Sequence, residues 1–402
     1  MNVLMLCNKP PFPPLEGGPM AMEATIRGLA GTGVRVHIIA VESEKYQAAD
    51  VPGELRERVS METVSLDLRV KRLPALMNLI RNRSYHLARF RSPGLQACIR
   101  RALALRDYDI VQFETPYLGH YLGLVRQESR ALVVLRAHNV EHLIWERLAR
   151  QERGFFRRAY LAQLSRQLRR YESAFADACD GVAAITPSDA GWFASNCKVP
   201  VHVYPYGRDL SHASDISPAQ PDDRLFHLGS MNWKPNEEGI AWFLKEVWPL
   251  VRRDGRDAEL HLAGRHMPDW LRHGQWAGVT VHGEVPDAMA FMEEHGIMIV
   301  PLLSGSGLRI KIIEGMEAGR AIVSTTIGAE GIALTDGEHI LLADTPGAFA
   351  VRIRELMDDA DLRAGLGLRA RERVRQAYDN AAITAGLMGF YLKMKAGRDS
   401  HG

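Results

Sequence analysis

Residues 301–331, PLLSGSGLRIKIIEGMEAGRAIVSTTIGAEG, constrain the fold more than any other stretch. Ile297 to Leu302 is a short apolar run ended by serine and glycine, the pattern of a buried strand. A small-residue loop follows, Ser304-Gly305-Ser306-Gly307, and then a helix over Leu308 to Ala318 with Ile310, Ile313 and Met316 on one face. Gly319 stops that helix, and Ala321 to Thr325 is a second buried strand. Such a glycine loop offers backbone N–H groups at the positive end of a helix, which suits a phosphate. Arg309 and Lys311 lie in the first turn, where cations oppose the helix dipole by roughly 0.3–1 kcal/mol each. An anion bound between them and the helix end removes that conflict. Glu314, one turn on, is within reach of a hydroxyl beside the anion. Phosphates next to a vicinal diol outline a nucleoside diphosphate. An ordinary turn followed by a solvated Arg-x-Lys pair is the other local reading.

The 402 residues suggest two domains, at roughly 100–200 residues each. Composition is that of a soluble globular chain, with no run of about 18 apolar residues to make a membrane-spanning helix. The first residues, MNVLMLCNKPPFPP, read as a strand and not as a signal peptide. Cys7, Cys98, Cys179 and Cys197 are scattered without zinc spacing, so they read as reduced, partly buried thiols of a cytosolic protein. The formal net charge of +2 names no partner. Charge distribution says more. Between Arg69 and Arg106 there are ten Lys or Arg residues and no Asp or Glu before Arg106, with Leu, Ile, Met, Tyr and Phe interleaved. That composition suits an anionic lipid surface at about 1 kcal/mol per cation. Nucleic acid ranks lower, since no nucleic-acid fold signature accompanies it. A solvated insertion is the third reading. Arginines of the segment 147–170 form a second basic surface.

In chain order, Asn2–Cys7 is a strand, Glu16-Gly17-Gly18-Pro19 a turn, and a helix to Ala30 leads into a strand over Val34–Val41. This opening is Rossmann-like, but it lacks GxGxxG and a well-placed acidic residue, which disfavours a nicotinamide-dependent oxidoreductase. Gly17-Gly18 allows either a ligand to approach the backbone or a tight turn. A third strand is expected over Glu62–Leu68. Asp107-Tyr108-Asp109 marks a strand entrance and not a metal site. Strands follow at Asp109–Phe113 and Leu132–Arg136, and His138 stands at the C-terminal end of the latter, where open α/β sheets bind ligands. Helices are expected over 141–149 and 156–178, then strands at Gly181–Thr186 and Val201–Tyr204. Residues 1–205 are thus an N-terminal Rossmann-like domain containing the basic segment 69–106. Residues 206–223 are a polar, turn-rich hinge. Residues 224–379 form the C-terminal domain, and 380–402 a helix and tail packing back on the first.

Several segments resemble the GT-B glycosyltransferases, and more closely their retaining family 4: Gly17-Gly18, Arg136-Ala137-His138-Asn139 with Glu141, Tyr204 to Asp209, Gly229 to Asn236, and Gly305 through Glu314 to Gly331. The resemblance spans nearly the whole chain and implies two Rossmann-like domains facing each other across a cleft. It implies a nucleotide-sugar donor, a UDP- or GDP-sugar, bound mainly by the C-terminal domain without a metal or other cofactor. Glu314 matches the second glutamate of the family's Glu-x7-Glu motif, the one that contacts ribose. The first is Ser306 here, the family's glycine before the helix is Arg309, and the usual Asn-Gly-Val-Asp hinge is Tyr206-Gly207-Arg208-Asp209.

The expected site therefore has His138, Arg309 and Lys311 in catalysis. Donor binding falls to Gly18, Ser230, Lys234, Gly283, Ser306, Gly307, Leu308 and Glu314. The expected activity is metal-independent transfer of a sugar, with retention, to an acceptor hydroxyl. The basic segment points to a lipid-linked saccharide or surface-polysaccharide precursor, made on the cytoplasmic side at the inner face of the membrane. A small soluble acceptor is the near alternative, and a non-catalytic nucleotide-sugar-binding protein is the rival from another class.

Overall fold

The structure, a computed structural model, describes residues 1–69, 85–152, 154–210, 222–305 and 307–400. Lys71, Arg72, Arg81 and Arg83 of the basic segment, Ser306, and most of the expected hinge lie outside the described residues. The chain divides into two compact units, Met1–Asp209 with Asn380–Gly402, and Leu210–Asp379.

The first unit is built on a seven-stranded parallel sheet of order β3-β2-β1-β4-β5-β6-β7. Its strands are β1 (Asn2–Cys7), β2 (Arg35–Glu42), β3 (Val59–Ser65), β4 (Ile110–Phe113), β5 (Leu132–Ala137), β6 (Gly181–Ala184) and β7 (Val201–Val203). Parallel strands are covered on both faces, so they read as apolar runs; every residue of β4, β5 and β6 is buried. One face packs Leu4, Val111 and Val133 against Ile99 of α2 (Pro93–Leu105) and Phe175 of α5 (Phe155–Ala178). Helix α3 (Leu122–Glu128) adds Leu124 and Val125 to that layer. The other face packs Val3, Met5 and Val134 against Ile26 of α1 (Gly17–Gly31) and Tyr391 near the C-terminus. Between β5 and α5 runs α4 (Glu141–Gln151), and α6 (Pro187–Asn196) precedes β7.

Among the strands only β3 lies off its expected place, three residues early, and α1 begins at Gly17, inside the expected turn. Strand β3 is an edge strand with alternating burial, and Leu66 and Leu68, which extended the apolar pattern, pack on the core from the coil that follows. Asp109 serves the start of β4: it accepts the Asn2 N–H at 2.9 Å and faces Lys395 at 2.6 Å. The strand-entrance reading of Asp107-Tyr108-Asp109 fits that placement.

The second unit has a six-stranded parallel sheet of order β10-β9-β8-β11-β12-β13. The strands are β8 (Leu225–Leu228), β9 (Leu260–Ala263), β10 (Val279–Gly283), β11 (Ile297–Val300), β12 (Ala321–Ser324) and β13 (Leu341–Leu342). Ile299 and Val323 pack against Phe243, Val247, Phe349 and Ile353. Helix α7 (Lys234–Trp242) carries Pro235 in its first turn, and α8 (Ala288–Glu293) is capped by Asp287, whose carboxylate accepts two backbone N–H groups. Helix α9 (Ile310–Glu317) lies close on β11: a Cβ at Gly315 would stand 2.5 Å from the Met298 sulfur. Helices α10 (Pro346–Asp358) and α11 (Ala360–Ala377) complete the unit.

The last helix, α12 (Asn380–Asp399), belongs to the first unit. The Tyr391 hydroxyl donates to Gln112 Oε1 in the sheet. The Asn380 N–H donates to Arg208 O at 2.9 Å, and its side-chain amide donates to Ala24 O at 2.9 Å. The chain thus leaves and re-enters this unit side by side.

The loops at the C-terminal ends of β8, β9 and β10 are stitched by backbone. Gly229 N–H donates to Ala263 O at 3.0 Å, and Gly264 N–H donates to Gly283 O at 2.7 Å. Gly264 has φ +142°, and a Cβ there would come within 1.9 Å of Gly229 O. Both the dihedral and the close approach require glycine. Gly264→Ala is expected to cost about 2 kcal/mol or more and to lower the thermal midpoint of the second unit. An unchanged melting curve would contradict this packing.

Candidate active site

The second unit gathers a cationic site at the C-terminal ends of β8 and β11. Lys311, in the first turn of α9, is half-buried and donates to Asn236 Oδ1 at 2.8 Å. Asn236 is held in turn by donating its amide to Ser230 O at 2.8 Å. Among the described residues no carboxylate pairs with Lys311. Dehydration of the ammonium, and secondarily the charge of Arg309, lower its pKa to about 7. Arg309, the N-cap of α9, is buried, lies 5.1 Å over the Trp233 ring and donates to Gly307 O. Gly305, at φ +113°, fits between the two: its Cβ would stand 3.0 Å from Trp233 and 3.1 Å from the Arg309 guanidinium. The glycine loop is therefore folded around an arginine that stacks on a tryptophan.

His227 completes the floor. It is fully buried and donates Nδ1–H to Ile299 O at 2.9 Å, which leaves Nε2 as an acceptor. Burial and the nearby Lys311 charge hold its pKa well down, so it is neutral. His227 Nε2, Asn236 Nδ2 and Lys311 Nζ all lie within 3.2 Å of where a Gly229 Cβ would be. Gly229 is the opening through which backbone and cation meet. Two cations, one partly dehydrated, at a helix N-terminus present the charge and donors that suit phosphate oxygens.

The first unit has a second constellation at the C-terminal edge of its sheet. His138, just after β5, donates Nε2–H to Glu114 Oε2 at 2.8 Å. Glu114, just after β4, is 1% exposed and accepts from Gln112 Nε2 at 2.5 Å. Burial lowers the His138 pKa, against the opposing pull of Glu114. With Nε2 committed to the carboxylate, neutral His138 presents Nδ1 as its acceptor, and that buried nitrogen has no partner among the described residues. Glu141 is nearby. Burial pushes its carboxyl up to about 7, although the Tyr117 hydroxyl donates to it at 2.7 Å. Glu172 reaches from α5 to accept the Glu141 N–H and His142 Nδ1–H, each at 2.8 Å, and so fixes the start of α4. Lys9 lies against Gly18, whose Cβ would stand 3.0 Å from Nζ, and 3.6 Å from Glu16. Gly18 makes room for a lysine.

Of the residues expected from sequence, Arg309, Lys311, Gly307, Leu308 and Ser230 share the loops and first turns around the cationic site, and Glu314 lies in the second turn of α9. Gly283 joins them through Gly264 and Gly229. Lys234 is exposed and pairs with Glu237 at 3.3 Å. His138 and Gly18 are in the first unit. Ser306 lies outside the described residues. Sequence reading missed Glu114, Asn236, His227, Lys9 and Tyr117; Glu114 and His227 find their partners across the sheet, Tyr117 pairs with Glu141, Asn236 joins Ser230 to the distant Lys311, and Lys9 pairs with Glu16 in the loop after β1. Among the described residues no cluster of three or more His, Cys, Asp or Glu could hold a metal ion.

Lys311 carries a testable cost. Its folded pKa lies below the unfolded value, so the unfolded chain takes up the proton first as pH falls from about 10 to 7, and stability falls over that range. Lys311→Met is expected to stabilise the ligand-free protein at pH 7 by about one to a few kcal/mol, less what is lost by leaving Asn236 unpaired. The same change is expected to weaken binding of a diphosphate tenfold or more. Thermal unfolding with and without ligand measures both. A destabilised variant that binds normally would contradict the site.

Comparison with known proteins agrees with the fold. Residues 17–212 match the model of Glycosyltransferase Family 4, and residues 222–359 match that of Glycosyl transferases group 1. An uncharacterised 44.6 kDa protein of the cps region of Klebsiella pneumoniae is 21% identical over 96% of this chain and 98% of its own. Phosphatidyl-myo-inositol mannosyltransferase of Mycolicibacterium smegmatis is 32% identical over 38% of this chain and 41% of its own length. Among solved structures, sucrose-phosphate synthase of Thermosynechococcus elongatus superposes with a TM-score of 0.72 at 15% identity, over 99% of this chain and all of that one. Anabaena HepE, solved with UDP, superposes at 0.64 and 14% identity, over 98% of this chain and all of that one. With a family model on each unit and two Rossmann-like parallel sheets, the chain belongs to the GT-B glycosyltransferases and is family 4-like.

Proposed function

We propose that this glycosyltransferase moves a sugar, with retention and without a metal, from a UDP- or GDP-sugar to a lipid-linked saccharide or surface-polysaccharide precursor on the cytoplasmic side. The observation that carries the donor half is the Arg309–Lys311–Asn236 arrangement at the start of α9. Its cations neutralise the diphosphate as it becomes the leaving group, and they accelerate transfer to the extent that they hold it more tightly in the transition state. Glu314, one turn along the helix, takes the ribose hydroxyls. His138, fixed by Glu114, acts on the sugar end, orienting it or stabilising positive charge at the anomeric carbon. HepE's complex with UDP and the mannosyltransferase named for a phosphatidyl-inositol acceptor support the two halves of the reading.

A thermal-shift screen against UDP, GDP, ADP and CDP and their sugar conjugates tests the donor. Ligand at about 100 times its dissociation constant is expected to add roughly 2.7 kcal/mol, and Glu314→Ala to abolish the response. Once the donor is known, His138→Ala and Glu114→Gln are expected to lower kcat by about a hundredfold and less than that, respectively, with donor binding kept. Nucleotide binding with neither donor hydrolysis nor transfer would favour a non-catalytic nucleotide-sugar-binding protein. No response to any nucleotide would overturn the donor site.

A further inference from the structure

The hairpin of α4 and α5 ends in an apolar tip that none of the described residues covers. Phe156 is 87% exposed, the most exposed large apolar side chain among the described residues, and Phe155 is 69% exposed. The two rings contact each other edge to face at 5.6 Å. Leu148, in the last turn of α4, adds a third apolar group at 44% exposure. Around them the sequence from Glu146 to Arg158 holds five arginines and two glutamates. Arg150 pairs with Glu146, and Arg157 pairs with Glu152 at 3.0 Å, so the tip keeps a net positive charge.

The support beneath the tip is firm. Leu164 and Leu168 of α5 are buried with Trp145 and Tyr160 packed on them, and the Ser165 hydroxyl donates to His142 O at 3.0 Å. Exposure at the tip thus belongs to the first turn of a helix that is anchored below it. Two adjacent phenylalanines presented to water on a rigid support gain by leaving it, since each carries about 150–250 Å² of surface.

We propose that this tip docks the protein on an anionic membrane surface. Phe155, Phe156 and Leu148 enter the boundary between headgroups and acyl chains, and the arginines behind them take lipid phosphates. Charge complementarity selects the occupant: an apolar apex with basic shoulders matches the layering of an anionic bilayer. A second copy of the same tip would bring like charges together, and a nucleic acid would leave the apex in water. Glu172, which touches the start of α4, is 17 residues along α5 from Phe155, so the membrane would lie about 25 Å from the His138 loop. The purpose of docking rests on the lipid-linked reading of the acceptor. The docking itself does not, although Leu87 of the basic segment packs on Leu164 and Leu168 beneath the tip.

Flotation of the full chain with phosphatidylcholine vesicles, with and without about a third phosphatidylglycerol, tests the proposal. Wild type is expected to float with the anionic vesicles only, less so at high salt. Phe155→Ser/Phe156→Ser is expected to lose about tenfold or more in vesicle affinity, with the melting point and nucleotide response of wild type. Phe155→Trp/Phe156→Trp is expected to keep binding, and Arg157→Gln/Arg158→Gln to weaken it with a shallower salt dependence. Equal binding by wild type and the serine variant, or equal binding to neutral vesicles, would overturn the proposal. So would a lipid-free dimer that the serine variant dissolves, which would assign the tip to a second copy. A nucleotide response that survives absent vesicle binding would sink the docking surface alone, leaving the donor reading standing.

Discussion

A lysine ammonium held at a helix N-terminus by one amide oxygen is the constraint from which the second unit is best understood. Lys311 has no carboxylate partner among the described residues and stands beside Arg309, against the dipole of its own helix. Stability alone would not choose that arrangement, because a partly dehydrated cation without a counter-charge costs free energy. The surrounding features follow from holding it. Asn236 is bonded back to Ser230, His227 is kept neutral with its acceptor turned inward, Gly229 leaves room for the three side chains, and Trp233 takes the face of Arg309. Under the proposed function, a bound diphosphate would supply the missing negative charge and turn a destabilising cluster into an affinity for ligand.

The first unit solves a different problem. Its polar groups at the sheet edge are paired: Glu114 with His138 and Gln112, Glu141 with Tyr117, Glu172 with the start of α4. Pairing fixes orientation. A histidine whose Nε2–H is committed to a buried carboxylate has one defined acceptor nitrogen, and its pKa is lowered by burial more than the carboxylate restores. Such a group can direct a lone pair or, when protonated, a positive edge at a substrate without first reorganising.

Much of the architecture was legible from residue order. Buried parallel strands announce themselves as short apolar runs, which is why β8 and the glycine-stopped helix α9 could be placed closely. Gly319, at φ +68°, does end that helix. The edge strand β3 misled because its polarity alternates, and the two-residue β13 leaves no pattern to find. At the site, Arg309, Lys311 and His138 were visible because position relative to a strand or helix end is local information. Their partners were not. Asn236 is 75 residues from Lys311, and Glu114 is 24 from His138; only the parallel pairing of β8 with β11 and of β4 with β5 brings them together. The expected helix starts at Phe156, and sequence alone does not say which face of such an arginine-rich helix is left uncovered.

The most direct test of the account is a calorimetric titration of the responding nucleoside diphosphate at pH 8 in two buffers of different ionisation enthalpy. Lys311 is mostly neutral there when its pKa is about 7, and a bound diphosphate restores its proton. The account predicts proton uptake on binding, affinity that falls as pH rises above 7, and loss of both effects in Lys311→Met. Binding without proton uptake, or uptake that persists in the variant, would contradict the claim that a charge-starved helix end is the donor site.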